Sequence, residues 1–289
     1  MILNLHIGLS NRCNLKCKHC FVPYSEKTDI DEKILFKFIK KIENYGLSKV
    51  YYTYGEPLLN KNFNSFALKI KALDIYQVLM TNGTLINQKK INELTECGIN
   101  FVYVSLDSTI DVEHDDNRGG KCFHKAVEAI RLLNKNGIAC GISSTVMPQN
   151  IEYINSMADF SKEIGVTDIS FLMLREEGRV TTPLTKNYVE LFKESVRKDL
   201  PYSFHDMRLN IVLKKMYDDG VIGLRKYERY RFSNDCHNEM SLSISPSGSL
   251  YRCNFHQKEP IGNLYKITED NFEEILKKKI KGCEFKCAI

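Results

Sequence analysis

The sequence lacks any apolar run that approaches the length of a membrane-spanning helix, about 18 residues. An apolar strand-like segment follows Met1 almost at once, so no secretory signal peptide is expected. Low-complexity segments are absent, and so are internal repeats beyond a strand–helix alternation. These absences disfavour membrane and secreted proteins, and we expect a cytoplasmic globular protein.

An excess of charge of one sign is also absent. The chain has 41 basic and 36 acidic residues, and the net charge of +5 is dispersed along 289 residues. This balance argues against a nucleic-acid partner, because binding such a partner usually requires a concentrated basic surface. The length suits one large α/β domain, or a domain of about 200 residues with a small appendage.

Strand-like and helix-like segments alternate through the first 175 residues. Six such repeats imply parallel strands with right-handed crossovers, closed into a barrel or part of one. Function is then expected at the loops after the strands. Asp29 and Glu32 predict the cap of the first helix. The predicted strands are Ile2–Leu9, Lys49–Tyr54, Tyr76–Thr81, Phe101–Leu106, Ile138–Val146 and Asp168–Leu174, and the helices are Asp31–Asn44, Asn62–Leu73, Asn87–Cys97, Phe123–Asn136 and Glu152–Ile164.

The alternation ends after Leu174, which places a domain boundary near residue 180. We therefore predict two domains, 1–180 and 181–289. The turn Ser-Pro-Ser-Gly-Ser separates two short strand-like runs and predicts a β-hairpin. The C-terminal prediction consists of a helix at Lys186–Lys198, irregular chain at Leu200–Asp235, the hairpin strands Leu242–Ser245 and Leu250–Cys253, and a helix at Asn271–Ile280.

Cys13, Cys17 and Cys20 lie within eight residues, in the run Cys-Asn-Leu-Lys-Cys-Lys-His-Cys. Cysteine thiolates are the usual protein ligands of iron–sulfur clusters, and three of them hold three corners of a cube. One iron then remains open to a small molecule. A structural zinc site is the alternative, but it normally has two separated Cys-x-x-Cys pairs. The ten cysteines of a chain without a secretory signal indicate a reducing compartment.

This run resembles the signature of the radical SAM enzymes, Cys-x-x-x-Cys-x-aromatic-Cys after the first strand, with His19 at the aromatic position. The resemblance implies a partial (β/α)6 TIM-like barrel and a [4Fe–4S] cluster whose open iron binds S-adenosylmethionine (SAM). In this family an electron from the cluster cleaves SAM to methionine and a 5′-deoxyadenosyl radical, which abstracts a hydrogen atom from substrate.

Tyr54-Gly55-Glu56-Pro57 at the end of the second strand resembles the family motif Gly-Gly-Glu-Pro, which binds the SAM amino group. A carboxylate and backbone carbonyls suit an ammonium group, and a glycine lets the backbone approach the ligand. Tyr54 occupies the position of the first glycine. We expect its bulky side chain to narrow or reshape the methionine pocket.

The following strand ends supply further candidate SAM contacts. Asn82 lies in Thr-Asn-Gly-Thr, a run common in this family and equally an ordinary turn. Ser105 and Asp107 share one face of the fourth strand by alternation, at a place that resembles the ribose-contacting site. Arg118 lies where the family often has an arginine near the SAM carboxylate. Ser143 and Thr145 on the fifth strand are comparable candidates.

A second cysteine set lies at the C-terminal end: Cys236, Cys253, Cys283 and Cys287. Its opening resembles the SPASM/Twitch extension of radical SAM enzymes, in which cysteines flank a β-hairpin and bind an auxiliary [4Fe–4S] cluster. Four cysteines correspond to the shorter, single-cluster Twitch form. A four-cysteine zinc site that only stabilises the extension is the alternative. With four protein ligands, an auxiliary cluster would transfer electrons.

The resemblance leaves the substrate class open. Relatives with such extensions modify ribosomally made peptides or oxidise small molecules, and we place peptide modification slightly ahead. The absence of an N-terminal peptide-binding domain weakens the peptide hypothesis, and a non-catalytic zinc-binding protein is a remote third. The implied partners are SAM, the substrate, and an electron donor such as flavodoxin or ferredoxin. Further candidates are the deprotonating residues Glu176, Glu177 or Asp206, and the thiols Cys97, Cys122 or Cys140 as hydrogen-atom donors.

Overall fold

The computed structural model describes residues 3–22, 27–175, 178–180, 187–196, 203–204, 207–221, 240–252, 254, 259–268 and 271–275. Its strands are β1 (Leu3–Gly8), β2 (Leu47–Thr53), β3 (Tyr76–Thr81), β4 (Phe101–Ser105), β5 (Cys140–Val146), β6 (Asp168–Met173), β7 (Ser203–Phe204), β8 (Met240–Ile244), β9 (Ser249–Tyr251) and β10 (Gly262–Asn263). They form one sheet in the order β10-β9-β8-β1-β2-β3-β4-β5-β6-β7. All pairs from β8 through β1 to β7 are parallel. The predicted α/β fold with a partial TIM-like barrel is confirmed.

Most of the helices cover the outer face of this sheet, as the crossover topology requires. They are α1 (Glu32–Glu43), α2 (Phe63–Lys71), α3 (Gln88–Glu96), α4 (Asp111–Arg118), α5 (Phe123–Lys135), α6 (Ile154–Glu163), α7 (Tyr188–Ser195) and α8 (Met207–Asp218). The predicted Asp29 cap of α1 is wrong: Asp31 is the N-cap and accepts from the amides of Lys33 and Ile34. Asp29 instead forms an ion pair with Arg12. Within the described ranges, none of the helices is long and apolar enough to cross a bilayer.

Strands β1 and β4 each have an apolar outer face and a polar inner face. On β1, Leu5 and Ile7 are fully buried under the helices, whereas Asn4 and His6 line a central cavity. On β4, Val102 and Val104 alternate in the same way with Tyr103 and Ser105. Because successive side chains of a strand point to opposite faces, one sequence pattern builds both the core and the cavity wall.

The predicted C-terminal hairpin is present as β8 and β9, which are antiparallel. Strand β8 also pairs in parallel with β1, so the hairpin extends the barrel sheet beside the first strand. The described part of the last predicted helix covers residues 271–275. The domain boundary near residue 180 stays a prediction.

Two helices lie where none was predicted. The sequence of α4, Asp-Val-Glu-His-Asp-Asp-Asn-Arg, has almost no apolar residues and therefore no stripe at helical spacing. Helix α8 lies inside the segment predicted to be irregular, and it buries Val212, Leu213 and Met216. These positions do follow the i, i+1, i+4 spacing of a helix face, so the signal for α8 was present.

We expect Tyr52→Phe to lower the free energy of unfolding by about 1–3 kcal/mol, the cost of a buried polar group left without its partner. The Tyr52 hydroxyl donates to Gln77 Oε1 in the core, and Gln77 Nε2 already donates to the carbonyl of Cys97. Denaturant unfolding of the anaerobically reconstituted protein measures the change. Tyr76→Phe, on a side chain 41% exposed, is the matched control and should change little; equal effects would contradict this account.

Candidate active site

The three motif cysteines lie on the loop that follows β1, residues 10–22, here called the cluster loop. Cys17 is buried, Cys13 and Cys20 are half-buried, and all three pack with Leu15 and Cys122 in one small cluster. Each of the three also lines the central cavity. Burial raises the pKa of the Cys13 thiol to about 11 and also raises that of Cys17. Such thiols become thiolates when a metal cation binds them.

The end of β2 holds the first half of the cluster loop. The Glu56 amide donates to the Arg12 carbonyl at 2.7 Å. Gly55 has φ +48°, and a Cβ there would lie 2.3 Å from the same carbonyl oxygen. Only glycine therefore fits at position 55, both for its left-handed backbone and for the close approach of the two chains.

Helix α4 holds the second half of the cluster loop through its C-terminal carbonyls. The Lys18 amide donates to the Asn117 carbonyl at 2.8 Å, and the Lys16 amide donates to the Arg118 carbonyl at 3.3 Å. Gly119 ends the helix at φ +69°, where a Cβ would meet the Lys16 carbonyl at 2.8 Å. Helix-end carbonyls that need donors thus receive them from the cluster loop.

A buried ion pair between Asp107 and Arg118 fixes the side of the cavity next to α4. Arg118 donates to both carboxylate oxygens, Nε to Oδ2 at 2.7 Å and Nη2 to Oδ1 at 2.9 Å. Asp107 also accepts from Asn117 Nδ2 and from the Thr145 amide. Burial raises the pKa of the Asp107 carboxyl, but the Arg118 guanidinium together with His19 and His114 holds that pKa below its usual range.

His19 packs against this pair. Its Nε2 lies 3.8 Å from Asp107 Oδ2, and its Nδ1 lies 3.3 Å from Asn117 Oδ1. Burial lowers the pKa of His19, which keeps the ring neutral at pH 7. A neutral ring at the predicted aromatic position presents an uncharged surface to the cavity.

The cavity has a volume of about 440 Å³, within the range of small-molecule sites. Of the predicted SAM contacts, Gly55, Asn82 and Ser105 line it, as do His19, Tyr54 and Arg118. Ser143 and Thr145 line it as well. The strand ends and the cluster loop thus bring most of the predicted residues to one space, although their contacts with SAM stay predictions.

The carboxylates of Glu56 and Asp107 lie behind the cavity wall. Glu56 is fully buried and accepts from the Asn82 amide at 2.8 Å, from Thr81 Oγ1 at 2.9 Å and from the Leu58 amide. Burial raises its pKa to about 7. Its side chain joins the ends of β2 and β3, whereas the residue before it, Gly55, faces the cavity. Alternation along β4 placed Asp107 beside Ser105, but the strand ends at Ser105 and Asp107 turns toward Arg118.

The three isolated cysteines, Cys97, Cys122 and Cys140, are buried, and none lies among the described residues that line the cavity. Cys122 lies close to His114 and Asp115, a set of metal-binding residue types. Asp115 Oδ1, however, accepts from the amides of Cys122 and Phe123 at the start of α5. Asp115 therefore caps the first amides of α5, and His114 Nδ1 accepts from the Asp107 amide at 3.3 Å, so both residues have structural roles.

Several predicted residues lie outside the described part of the chain. They are the auxiliary cysteines Cys236, Cys253, Cys283 and Cys287 and the candidate bases Glu176, Glu177 and Asp206. The described neighbour of Cys253, Asn254, does line the cavity. Sequence reasoning did not find Asn117 or Gly119, because α4 carries no apolar stripe.

A protein-family model for the radical SAM superfamily matches residues 7–161, more than half of the chain. The chain belongs to the radical SAM superfamily. Membership implies a [4Fe–4S] cluster and SAM. Three converging thiols at the edge of a polar cavity have the donor chemistry that such a cluster needs.

Two curated relatives and one solved structure illustrate the range of the superfamily. The chain is 28% identical to the subtilosin biosynthesis protein AlbA of Bacillus subtilis over 95% of its length, and 28% identical to the Fe-coproporphyrin III synthase of Methanosarcina barkeri over 66%. It spans 59% and 51% of the lengths of these relatives. The structure of Streptococcus suis SuiB bound to the precursor peptide SuiA superposes with a TM-score of 0.72 at 17% identity, covering 91% of this chain and 62% of SuiB. At that identity the likeness shows the fold alone.

We expect Asp107→Asn to destabilise the protein by about 3–5 kcal/mol, because it leaves the buried Arg118 cation without its carboxylate. Thermal unfolding and iron content after anaerobic reconstitution measure the loss. The matched control is Asp116→Asn, whose exposed carboxylate pairs with Lys18 of the cluster loop. That pair is solvated, so the control should behave as the wild type. Similar losses in both variants would contradict the role of the buried pair.

Gly55→Ala should reduce the iron content after reconstitution, because the new Cβ displaces the Arg12 carbonyl next to Cys13. Gly137→Ala provides the comparison. Gly137 also has a positive φ, +72°, but no atom lies within 4 Å of a Cβ at that position. Both variants bear the strain of a left-handed alanine, and only Gly55→Ala disturbs the cluster loop. Full iron content in Gly55→Ala would refute the proposed steric role.

Proposed function

We propose that the chain is a radical SAM enzyme that reductively cleaves SAM and abstracts a hydrogen atom from its substrate. The observation that carries this proposal is the convergence of Cys13, Cys17 and Cys20 on one cavity that Gly55 and Ser105 also line. The cluster, once bound, supplies the electron that converts SAM to methionine and a 5′-deoxyadenosyl radical. The chain's own residues bind, orient and enclose the reactants.

Each part of the cavity wall has a task under this proposal. The three thiolates would hold the cluster, and one of its irons would then be open to the SAM amino and carboxylate groups. The backbone at Gly55 receives the methionine moiety, and Ser105 offers a hydroxyl to the ribose. Arg118 faces the carboxylate end, although its charge is balanced by Asp107. Asn82, whose Nδ2 donates to Asn14 at 2.9 Å, braces the cluster loop at the SAM-facing side.

For the substrate, we place peptide modification ahead of oxidation of a small molecule. The match to AlbA, a bacteriocin biosynthesis protein, covers 95% of this chain and supports a peptide. The alternative is supported by the match to a porphyrin-forming synthase and by a cavity whose volume suits a small molecule. A candidate peptide and a candidate small molecule are each incubated with the enzyme, SAM and reductant. Mass spectrometry then shows which of the two is modified and so distinguishes the two substrate classes.

We further propose that Cys236, Cys253, Cys283 and Cys287 bind an auxiliary [4Fe–4S] cluster in a Twitch-like domain at 181–289. In the sequence, Cys236 and Cys253 flank the hairpin of β8 and β9, and β8 pairs with the strand that leads to the cluster loop. Asn254, which follows Cys253, lines the cavity. An auxiliary cluster at this position would accept an electron from the substrate radical or relay one from a flavodoxin or ferredoxin.

Anaerobic reconstitution followed by an iron count tests both clusters. We expect about eight irons per chain, four for each cubane. Addition of dithionite and SAM should yield 5′-deoxyadenosine, detected by chromatography and mass spectrometry. The triple variant Cys13→Ala, Cys17→Ala, Cys20→Ala should retain about four irons and lose 5′-deoxyadenosine formation.

The quadruple variant with alanine at the four auxiliary positions is the matched counterpart. It should also hold about four irons but retain SAM cleavage. If the wild-type chain contains about four irons and also zinc, the four auxiliary cysteines bind a structural zinc ion and not a second cluster. A fully loaded wild-type chain that forms no 5′-deoxyadenosine would refute the proposed reaction.

A further inference from the structure

Tyr54 has a backbone conformation that suits glycine. Its φ is +64°, and Asp74 is the only other non-glycine residue with a positive φ in the described part of the chain. A bulky aromatic residue is strained in this region. The strained residue directly precedes Gly55, at the end of β2 that borders the proposed SAM site.

The Tyr54 side chain is buried in a space that exists because Gly8 has no side chain. It is 6% exposed, and a Cβ at Gly8 of β1 would lie 2.8 Å from Tyr54 Cδ2. Its ring meets Phe21 of the cluster loop edge-to-face, with centroids 5.8 Å apart and planes at 62°. Edge-to-face aromatic pairs are favourable beyond the area they bury. Phe21 directly follows Cys20, so the ring of Tyr54 supports the last cluster ligand.

The Tyr54 hydroxyl reaches the C-terminal hairpin. It shares a hydrogen bond of 3.3 Å with Ser243 Oγ on β8, and Ser243 is fully buried. Strand β8 pairs with β1, so Ser243 is itself held in the sheet. A single side chain therefore contacts β1, the cluster loop and β8, while its backbone leads into Gly55.

We infer that Tyr54 is a positioning residue that ties the SAM-binding end of β2 to the C-terminal hairpin, so that the hairpin sets the affinity for SAM. This inference rests on the proposed function. The Ser243 contact holds Tyr54 in its left-handed conformation, and that conformation fixes the backbone of Gly55. Without the contact, the strand end populates other conformations, and SAM binds only to the competent fraction.

The test measures SAM cleavage with dithionite as the reductant and without substrate. It compares the variants Tyr54→Phe and Ser243→Ala with the control variant Tyr265→Phe. Each of the first two should raise the KM for SAM about two- to tenfold, the net worth of one hydrogen bond. Their kcat and iron content should stay at the wild-type values, while Tm should fall modestly, as the loss of one buried hydrogen bond requires. The double variant should resemble either single variant, because both remove the same contact. The SAM concentration that produces half of the maximal change in the EPR signal of the reduced cluster should rise by the same factor.

Tyr265→Phe is the matched control, since Tyr265 also joins the C-terminal segment to the barrel through its hydroxyl, which accepts from the Asp31 amide at 3.1 Å. It lies away from the cavity lining and should leave KM unchanged. An equal rise in Tyr265→Phe would show that general docking of the segment matters, and would overturn the inference.

The variant Tyr54→Gly distinguishes the effect of the Tyr54 side-chain contacts from the effect of the backbone strain at position 54. Glycine relieves the left-handed strain but loses both the ring and the hydroxyl, and we expect a larger rise in KM than in Tyr54→Phe. A Tyr54→Gly protein that binds SAM as tightly as the wild type would overturn the inference. A wild-type chain that forms no 5′-deoxyadenosine refutes the proposed function, whereas active wild type with unchanged Tyr54→Phe and Ser243→Ala variants refutes only the role of Tyr54.

Discussion

The cluster loop has no helix or strand over the span that carries its cysteines, and yet its three thiols must converge. Its shape therefore depends on backbone hydrogen bonds from the two elements beside it. The end of β2 binds the Arg12 carbonyl, and the end of α4 binds the amides of Lys16 and Lys18. At both contacts a left-handed glycine, Gly55 or Gly119, lies where no Cβ would fit. Close backbone approach therefore fixes the course of this loop, and side-chain contacts add to it.

The Asp107–Arg118 pair connects this loop to the barrel. A buried ion pair gains little net stability over apolar packing, but removal of one partner is costly. Its structural value here is geometric: Asp107 follows β4 and accepts from the Thr145 amide of β5, while Arg118 ends the helix that holds the cluster loop. The pair thus fixes the distance between two strand ends and the loop. Arg118 lines the cavity with its charge already balanced, which limits what it offers to a ligand.

The strand–helix alternation and the cysteine run were sufficient to predict the barrel and the place of its site, because both depend on periodicity and spacing. Helix α4 was not predictable in this way, since it buries His114, Asn117 and Arg118 instead of an apolar stripe. Ser105 was placed on the cavity side by alternation, but the same rule failed two residues beyond the strand, at Asp107. The side-chain directions of Glu56 and Asp107 depend on partners in other elements, which no local pattern specifies.

Contacts from neighbouring elements also explain why a tyrosine can occupy position 54, where the family motif has a glycine. A tyrosine at φ +64° is unfavourable by itself and persists only where the surroundings determine its conformation. Gly8 gives the ring its space, Phe21 packs against its edge, and Ser243 binds its hydroxyl. Two of these residues belong to the barrel and one to the hairpin. The departure from the family motif therefore goes with a different support for this strand end, because part of that support comes from β8 through Ser243.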